Sequence, residues 1–586
     1  MFRFLSDWLR LAAVLGLAAV LGFILSICLL LEDSWSMTST PSLLTDPFLQ
    51  LPTSNSVNVV WFTEFAGITH TVSYGQNLEQ TAIAFTTQLS RSREDASSRV
   101  GNQVADGKIY AQTQARPIWR HEATITGLLP NQRLPYRVTS LTADGKSIVS
   151  KTFSLAPSPA TGKPLKILLT SDHQLMPMVT ANLQKVVETV GQVDAVFMAG
   201  DLTNIADRAS EWFDDNRGGA FFPALQGRGN YTLEKSGFKT IYKGGELIQH
   251  APLFPAIGNH EVMGRCDRSL GKQFEDAMPR DSVKLDFPAS IAPETWLKDN
   301  SFNTDTYEEI FSLPQTSPAG KQYYAITFGD IRLVVLYATN IGRTPSLDAN
   351  ARGKYRERQD DFNHPDRWGY GQHIFAPIAK GSEQFNWLQQ EFNSPEFQRA
   401  KYKIVMFHHP PHSLGENIVP AYTNPIQTIQ RDESGQISAI AYEYPIQDDF
   451  LIRDLEPLLN SAKVQLVFYG HSHLWNRFIN SEGINFLESS NVGNSYGAFI
   501  GDKRRNVPIG YREKYAATGD PNGLDPVMPT RSPLTDELGQ PQAYIASNDI
   551  TVFSIFDTET GIISSYRFDT RTPQAGVIKF DQFALK

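Results

Sequence analysis

Cysteine is almost absent. The 586-residue chain carries two, Cys28 inside an apolar stretch and Cys266 in the polar body. Bridging two such positions would demand a geometry that a disulfide does not tolerate, so no disulfide framework and no thiolate metal site can be built here. Basic residues are also in deficit, 53 Lys and Arg against 62 Asp and Glu, for a formal net charge of -9. A nucleic-acid binder depends on cationic side chains to neutralise phosphates, so no stable nucleic-acid partner is expected. Internal repeats are missing, and so are the signs of disorder: hydrophobic residues make up 41% and charged ones 20%, the balance of a folded globular chain. The length exceeds what one hydrophobic core holds, which implies two or more folded units.

One long apolar run does occur. Residues 11–31 are free of charge, with Arg3 and Arg10 before them and Glu32 and Asp33 after. At about 1.5 Å per residue such a run spans roughly 30 Å, the thickness of a bilayer core. It is longer than the apolar part of a signal peptide, and no small-x-small cleavage site follows. Ile27 and the leucines after Cys28 make a poor lipoprotein signal. The reading is one transmembrane helix within residues 1–34, with a cleaved signal as its rival. The amino terminus is expected to stay cytoplasmic and the body to lie outside, periplasmic or extracellular, or secreted if the segment is cleaved.

Residues 35–54, rich in Ser, Thr and Pro, read as a linker. From Val57 short alternating strands follow, at 57–63, 71–75, 121–128, 136–141 and 148–153. Period-two runs broken by Gly, Pro and Asn predict a β-sandwich over residues 55–158. The step from Gly127-Leu-Leu-Pro130 to Tyr136 resembles the turn of fibronectin type III-like modules, such as the one preceding the catalytic domain of plant-type purple acid phosphatases. From residue 163 to 586 strands alternate with helices. Pro177 can open a helix whose Val179, Leu183, Val186, Val187 and Val190 share one face, between strands at 165–170 and 195–199. Helices are expected at 382–392 and 450–459, feeding strands at 402–407 and 464–469. Residues 323–327 and 331–337 read as a hairpin. Residues 550–556 and 562–568 read as a closing hairpin of the second sheet. The fold class is mixed, α+β with α/β character.

Chemistry gathers where apolar strands stop. Asp172-His173-Gln174, Gly200-Asp201, Gly258-Asn259-His260-Glu261, His408-His409 and Gly470-His471-Ser472-His473 each follow a strand, at the edge where crevices open in α/β sheets. Singly these blocks are weak, since Gly-Asp is usually a turn. Two imidazoles at i and i+2 after a strand can serve two adjacent ions, which is more specific.

In that order the five blocks resemble the calcineurin-like metallophosphoesterase superfamily, from about residue 165 to 478. The resemblance implies an αββα sandwich and two divalent ions, Mn, Zn or Fe. Carried over, Asp172, Asp201 and His473 would hold one ion, and Asp201, Asn259, His408 and His471 the other. Asp201 would bridge, because a carboxylate has two oxygens to offer. Ions about 3.5–4 Å apart would turn water into hydroxide that attacks phosphorus in line. His260 would protonate the leaving oxygen and Glu261 would orient His260. His409 and His412 read as packing or substrate-edge residues, with His409 a candidate to line the pocket. The chain departs from the pattern twice. Gln174 stands where the first block usually has His; its amide oxygen is a possible ligand, with His173 the competitor, and strand alternation favours Gln174. Asn204 stands where purple acid phosphatases carry the tyrosinate that colours their iron, so a colourless relative is implied.

The function implied is hydrolysis of a small phosphate ester outside the cytoplasm. A phosphodiesterase acting on nucleotides or glycerophosphodiesters is the alternative within the same class, and an exported binding protein on a degenerate phosphoesterase fold is the alternative outside it. Residues 341–370, with arginines and acids in near balance, read as a solvated loop. Residues 413–446 and 495–545 read as irregular inserts.

Overall fold

A computed structural model describes residues 42–100, 110, 113–262, 280, 293–342, 372–416, 421–505, 516–536 and 538–586. The apolar run at 11–31, both cysteines and the loop beyond Gly342 lie outside them. Among the described residues no helix is long and apolar enough to cross a membrane. Residues 43–586 form one compact unit.

The amino-terminal part is two antiparallel sheets. One orders its strands Phe48–Gln50, Ser56–Thr63, Trp119–Thr126 and Phe85–Gln88; the other runs Ser147–Val149, Leu134–Leu141, Thr69–Tyr74 and Gln80–Ile83, with Phe153–Leu155 also paired to Leu134–Leu141. Phe48–Gln50 falls in the stretch read as linker. It is drawn into the sheet because Phe48 and Leu49 are wholly buried there.

The strand Ser56–Thr63 explains how this part joins the rest. Its side chains alternate between two cores: Val57, Val59 and Trp61 pack inside the sandwich, while Val60 and Phe62 enter the core of the body that follows. Phe62 meets Phe213 at 5.0 Å and Phe222 at 5.5 Å between ring centroids. Arg120 adds hydrogen bonds to the Ile310 carbonyl and Ser312.

The body holds two mixed sheets. The first runs Leu253–Pro255, Ala195–Met198, Lys166–Thr170, Ile550–Asp557, Ile562–Asp569 and Ile578–Ala584. The second runs Tyr324–Phe328, Ile331–Val335, Tyr402–Met406, Leu466–Tyr469, Asn485–Ser489, Trp475–Ile479 and Tyr544–Ile545. Ser554 of the first meets Ser489 of the second at 3.0 Å, and one continuous apolar core lies between and around them. The closing hairpin therefore belongs to the first sheet rather than the second, because Ile550–Asp557 fills the open edge of Lys166–Thr170 in antiparallel register, Lys166 opposite Asp557.

The expected helices form. Val179–Val190 buries Val179, Leu183 and Val186, and stops at Gly191, whose positive φ turns the chain. Glu383–Phe392 starts on Ser382, whose hydroxyl accepts the Phe385 N–H. The helix expected at 450–459 is a widened turn over Leu451–Leu455 before a regular one over Glu456–Ser461. Pro457 has no N–H to return to residue 453, so the regular ladder fails there. Parallel strands Lys166–Thr170, Ala195–Met198 and Leu253–Pro255 in one sheet, and Tyr402–Met406 and Leu466–Tyr469 in the other, send their carboxyl ends the same way.

Candidate metal centre

Just beyond those ends the backbone leaves the extended region. Asp172, Gln174, Asp201, His471 and His473 all have positive φ, between 41° and 81°. Non-glycine residues adopt this left-handed conformation rarely and at a cost, and clusters of it mark functional sites. Room for the carboxylates comes from missing side chains. A Cβ at Gly258 would stand 2.2 Å from Asp201 Oδ1, and one at Gly470 2.2 Å from Asp172 Oδ2.

The turns bring eight predicted residues together. Asp201 Oδ2 lies 3.2 Å from His408 Nε2 and 3.9 Å from His260 Nε2, and it accepts the Gln174 Nε2–H at 2.6 Å. Asn259 Oδ1 is 3.0 Å from both His408 Nε2 and His471 Nδ1, and those two nitrogens are 3.2 Å apart. Across the cluster His473 Nε2 is 3.3 Å from Asp172 Oδ1, and both Asp172 oxygens accept the His471 N–H. Among the described residues two groups have candidate ligand atoms within 4.8 Å of one another: Asp172, Asp201 and His473, and His408, His409 and His471.

Electrostatics follow from this crowding. Burial pushes Asp201 up, but His408 and His260 outweigh it and hold the carboxyl well below its usual range. Asp172 is likewise lowered against burial by His473 and His408. Burial opposes a charge on His408, yet Asp201 and Asp172 lift it to about 10. His471 is driven to about 3 by burial and by the His408 charge. Two imidazole nitrogens and an amide oxygen crowd within 3.2 Å of one another with two carboxylates alongside, and a divalent ion would displace the His408 proton to use them. Such a set of lone pairs suits cations, and two divalent ions fit it.

The surrounding contacts fix which atoms face inward. His408 Nδ1 donates to the Ala199 carbonyl at 2.8 Å, leaving Nε2 toward the cluster. His473 Nδ1 donates to the Asn494 carbonyl at 2.9 Å, and His260 Nδ1 to the Asn204 carbonyl at 2.7 Å. Glu261 does not orient His260. It is wholly buried and accepts the N–H groups of Asp201, Leu202 and Gly258 at 2.8–2.9 Å, so it ties the Asp201 turn to the Asn259 turn. His173 points away from the cluster, with Nε2 3.1 Å from Thr170 and its ring toward Phe221. Gln174 turns toward the cluster through its amide N–H, and the pleat is not the cause. The strand ends at Thr170, and left-handed turns at Asp172 and Gln174 bring both side chains inward.

Three contributions go beyond what the sequence offered. His409, read as a packing or pocket-lining residue, stacks on His471 at 3.8 Å and carries an unpaired, buried Nδ1, which makes it a candidate ligand. Glu488 accepts the N–H of Ser472, between the two histidines of the last block, at 2.8 Å. Asp520, deep in an insert read as irregular, is 2.7 Å from His412 Nδ1, whose Nε2 is 3.4 Å from Glu456. None of these lies near its partner in sequence, so no spacing signalled it.

A family model described as calcineurin-like phosphoesterase matches residues 165–474, just over half of the chain. The chain is 21% identical over 283 residues to probable purple acid phosphatase 20 of Arabidopsis thaliana, covering 43% of this chain and 60% of that protein. It thus spans about 60% of the length of that curated relative. Among solved structures it resembles purple acid phosphatase PPD1 from yellow lupin (Lupinus luteus) seeds, with a TM-score of 0.51 at 14% identity over 92% of this chain and 73% of the other. PhoD gives a TM-score of 0.40 at 11% identity, over 92% of each chain. The match to the family over more than half of the chain, with its ordered blocks meeting where strands of both sheets end, makes this chain a member of the calcineurin-like phosphoesterase family.

Proposed function

We propose that this chain is a hydrolase of phosphoric esters working with two divalent ions, Mn, Zn or Fe(II). The convergence of Asp172, Asp201, Asn259, His408, His471 and His473 from five separate turns carries the reading. Asp172, Gln174, Asp201 and His473 would hold one ion; Asp201, Asn259, His408 and His471, with His409 in reach, would hold the other. Bound ions would supply Lewis acidity, activating water and neutralising phosphoryl oxygens. The chain's own part is positional. Asp201 stands between the two groups, and its charge is secured by the backbone N–H of His260, which donates to Oδ1 at 3.0 Å. His260 hands a proton from Nε2 to the departing oxygen, its ring held by the Asn204 carbonyl.

Asn204 in place of a tyrosinate supports a colourless site, unlike that of purple enzymes. The apolar run at 11–31 supports a body held outside the cytoplasm on a membrane, or secreted. The purified full-length chain, reconstituted with Mn, Zn or Fe(II), is expected to bind about two ions and to hydrolyse 4-nitrophenyl phosphate. Absence of metal in elemental analysis after reconstitution would leave a binding protein on a degenerate phosphoesterase scaffold as the better reading.

A further inference from the structure

The amino-terminal part touches the body elsewhere than along the shared strand. Between Phe85–Gln88 and Trp119–Thr126 the chain forms a small hairpin, Arg93–Glu94 paired with Gln114–Ala115. Its Arg93 N–H donates to the Asp207 carbonyl at 2.9 Å. Asp95, just past the first strand, takes the Arg208 guanidinium on both oxygens, from Nε at 3.1 Å and from Nη2 at 2.9 Å. The third arm of that guanidinium, Nη1, reaches Glu211 Oε1 at 2.6 Å. All three side chains are buried, where removing one partner of a charge pair costs far more than at a surface. Glu211 turns its second oxygen to the backbone: Oε2 accepts the N–H groups of Asn204 and Ile205, each at 2.8 Å.

That last contact bears on the metal centre because a peptide is planar. The Ile205 N–H and the Asn204 carbonyl belong to one trans peptide and point opposite ways. With Glu211 holding the N–H from behind, the carbonyl faces His260, whose Nδ1 donates to it at 2.7 Å and whose Nε2 is left 3.9 Å from Asp201 Oδ2. We infer that the amino-terminal part completes the catalytic apparatus: Asp95, through Arg208 and Glu211, is a positioning residue for His260, the group that protonates the leaving oxygen. This rests on the phosphoesterase reading above and names what aims its proton donor. Fastening the hairpin to the body is already served by the Arg93 N–H and by Arg116, whose Nη2 donates to Asp214 Oδ2 at 2.6 Å. The contacts of Arg208 end instead on the one peptide whose carbonyl His260 uses.

The test uses the metal-reconstituted full-length protein on glycerol phosphate, whose leaving alkoxide needs a proton, and on 4-nitrophenyl phosphate, whose leaving phenolate needs one far less. Asp95→Asn is expected to lower kcat for glycerol phosphate about 10-fold or more and for 4-nitrophenyl phosphate by a clearly smaller factor, with KM little changed, since general acid catalysis contributes about 10²–10⁴-fold. Arg208→Lys, which keeps the charge but not the fork, should move the same way. In a His260→Ala background Asp95→Asn should add no further loss, because both act through one group. Equal losses on the two substrates in the single variants, or a full further loss in the His260→Ala background, overturn the inference. A readout without turnover separates it from the reading beneath it. The His260 Nδ1–H proton resonance, identified by its absence from His260→Ala, should be present in the wild type and lost to exchange with water in Asp95→Asn. That loss in a protein that hydrolyses neither substrate would sustain the positioning and sink hydrolysis; an unchanged resonance would sink the positioning.

Discussion

Asp201 carries the greatest demands on any single residue. Its Oδ1 is held by a backbone N–H, its Oδ2 is shared among His408, Gln174 and His260, and it is 1% exposed. Asp201→Asn removes the charge and one of the two ligand oxygens at once. Turnover of an aryl phosphate is expected to fall by more than about 100-fold, beyond the 10- to 100-fold typical of groups one step removed from a metal. The neighbours of Asp172 should separate sharply. Gln174→Ala is expected to cost about 10- to 100-fold, and His173→Ala no more than about threefold, because only Gln174 reaches the cluster. A severe loss in the His173 variant with a mild one in Gln174 would reverse that assignment. At this scale the sequence was informative wherever a candidate ligand follows a strand within a few residues. It offered His409 only as a packing or pocket-lining residue, because its stacking on His471, 3.8 Å away beyond the neighbouring strand, is a tertiary contact.

Among elements, the turns and the inserts behave differently. The glycines before the ligands are spatial requirements: Gly258→Ala puts a carbon into the volume of Asp201 Oδ1. That variant is expected to fold yet bind fewer than two metal ions, as elemental analysis would show. The segment after His408 is held by a clamp in which the His412 ring lies between Asp520 and Glu456. Burial opposes its charge, but the two carboxylates lift His412 to about 9 from an ordinary value of about 6.5. A histidine raised on folding adds stability that is complete below the unfolded value and is lost as pH rises through the folded one. The clamp therefore contributes ~3 kcal/mol below pH 6.5, fading toward pH 9. Thermal unfolding of His412→Gln should show a deficit at pH 6 that shrinks steadily by pH 9.5; an equal deficit at both would mean the ring is neutral throughout. The helices Val179–Val190 and Glu383–Phe392 were legible here from their periodicity, while the hairpin of Ile426–Arg431 and Ile437–Glu443 lay in a stretch read as irregular. The widened turn at Leu451–Leu455 was not legible, since it answers to one missing N–H at Pro457 rather than to any pattern of apolar residues.

For the whole molecule, the strand Ser56–Thr63 decides how many independent units there are. Because it feeds Trp61 into one core and Phe62 into the other, the sandwich and the body should melt together. Calorimetry is expected to show one transition over residues 43–586; two well-separated transitions would mean that the shared strand does not couple them. Phe62→Ala, by opening a cavity in that seam, should cost about 3–5 kcal/mol. Removing metal with a chelator should lower the melting temperature as well, since ions held at 100 times their dissociation constant stabilise by about 2.7 kcal/mol.

By itself, the sequence determined many of the strands, though not the hairpin of Ile426–Arg431 and Ile437–Glu443 inside an insert read as irregular, together with the order of the chemistry-bearing blocks and the likeness of that order to one superfamily. Those features are local: an apolar run sets a strand, and a Gly-Asp or Gly-His-Ser-His after it sets a turn. Tertiary structure decided the rest. It placed the closing hairpin on the first sheet, turned Glu261 onto backbone N–H groups, drew His412 to Asp520 and laid Tyr496 on His473. Each of these depends on segments brought together only when the chain collapses around its buried strands, at separations where no residue spacing carries a signal.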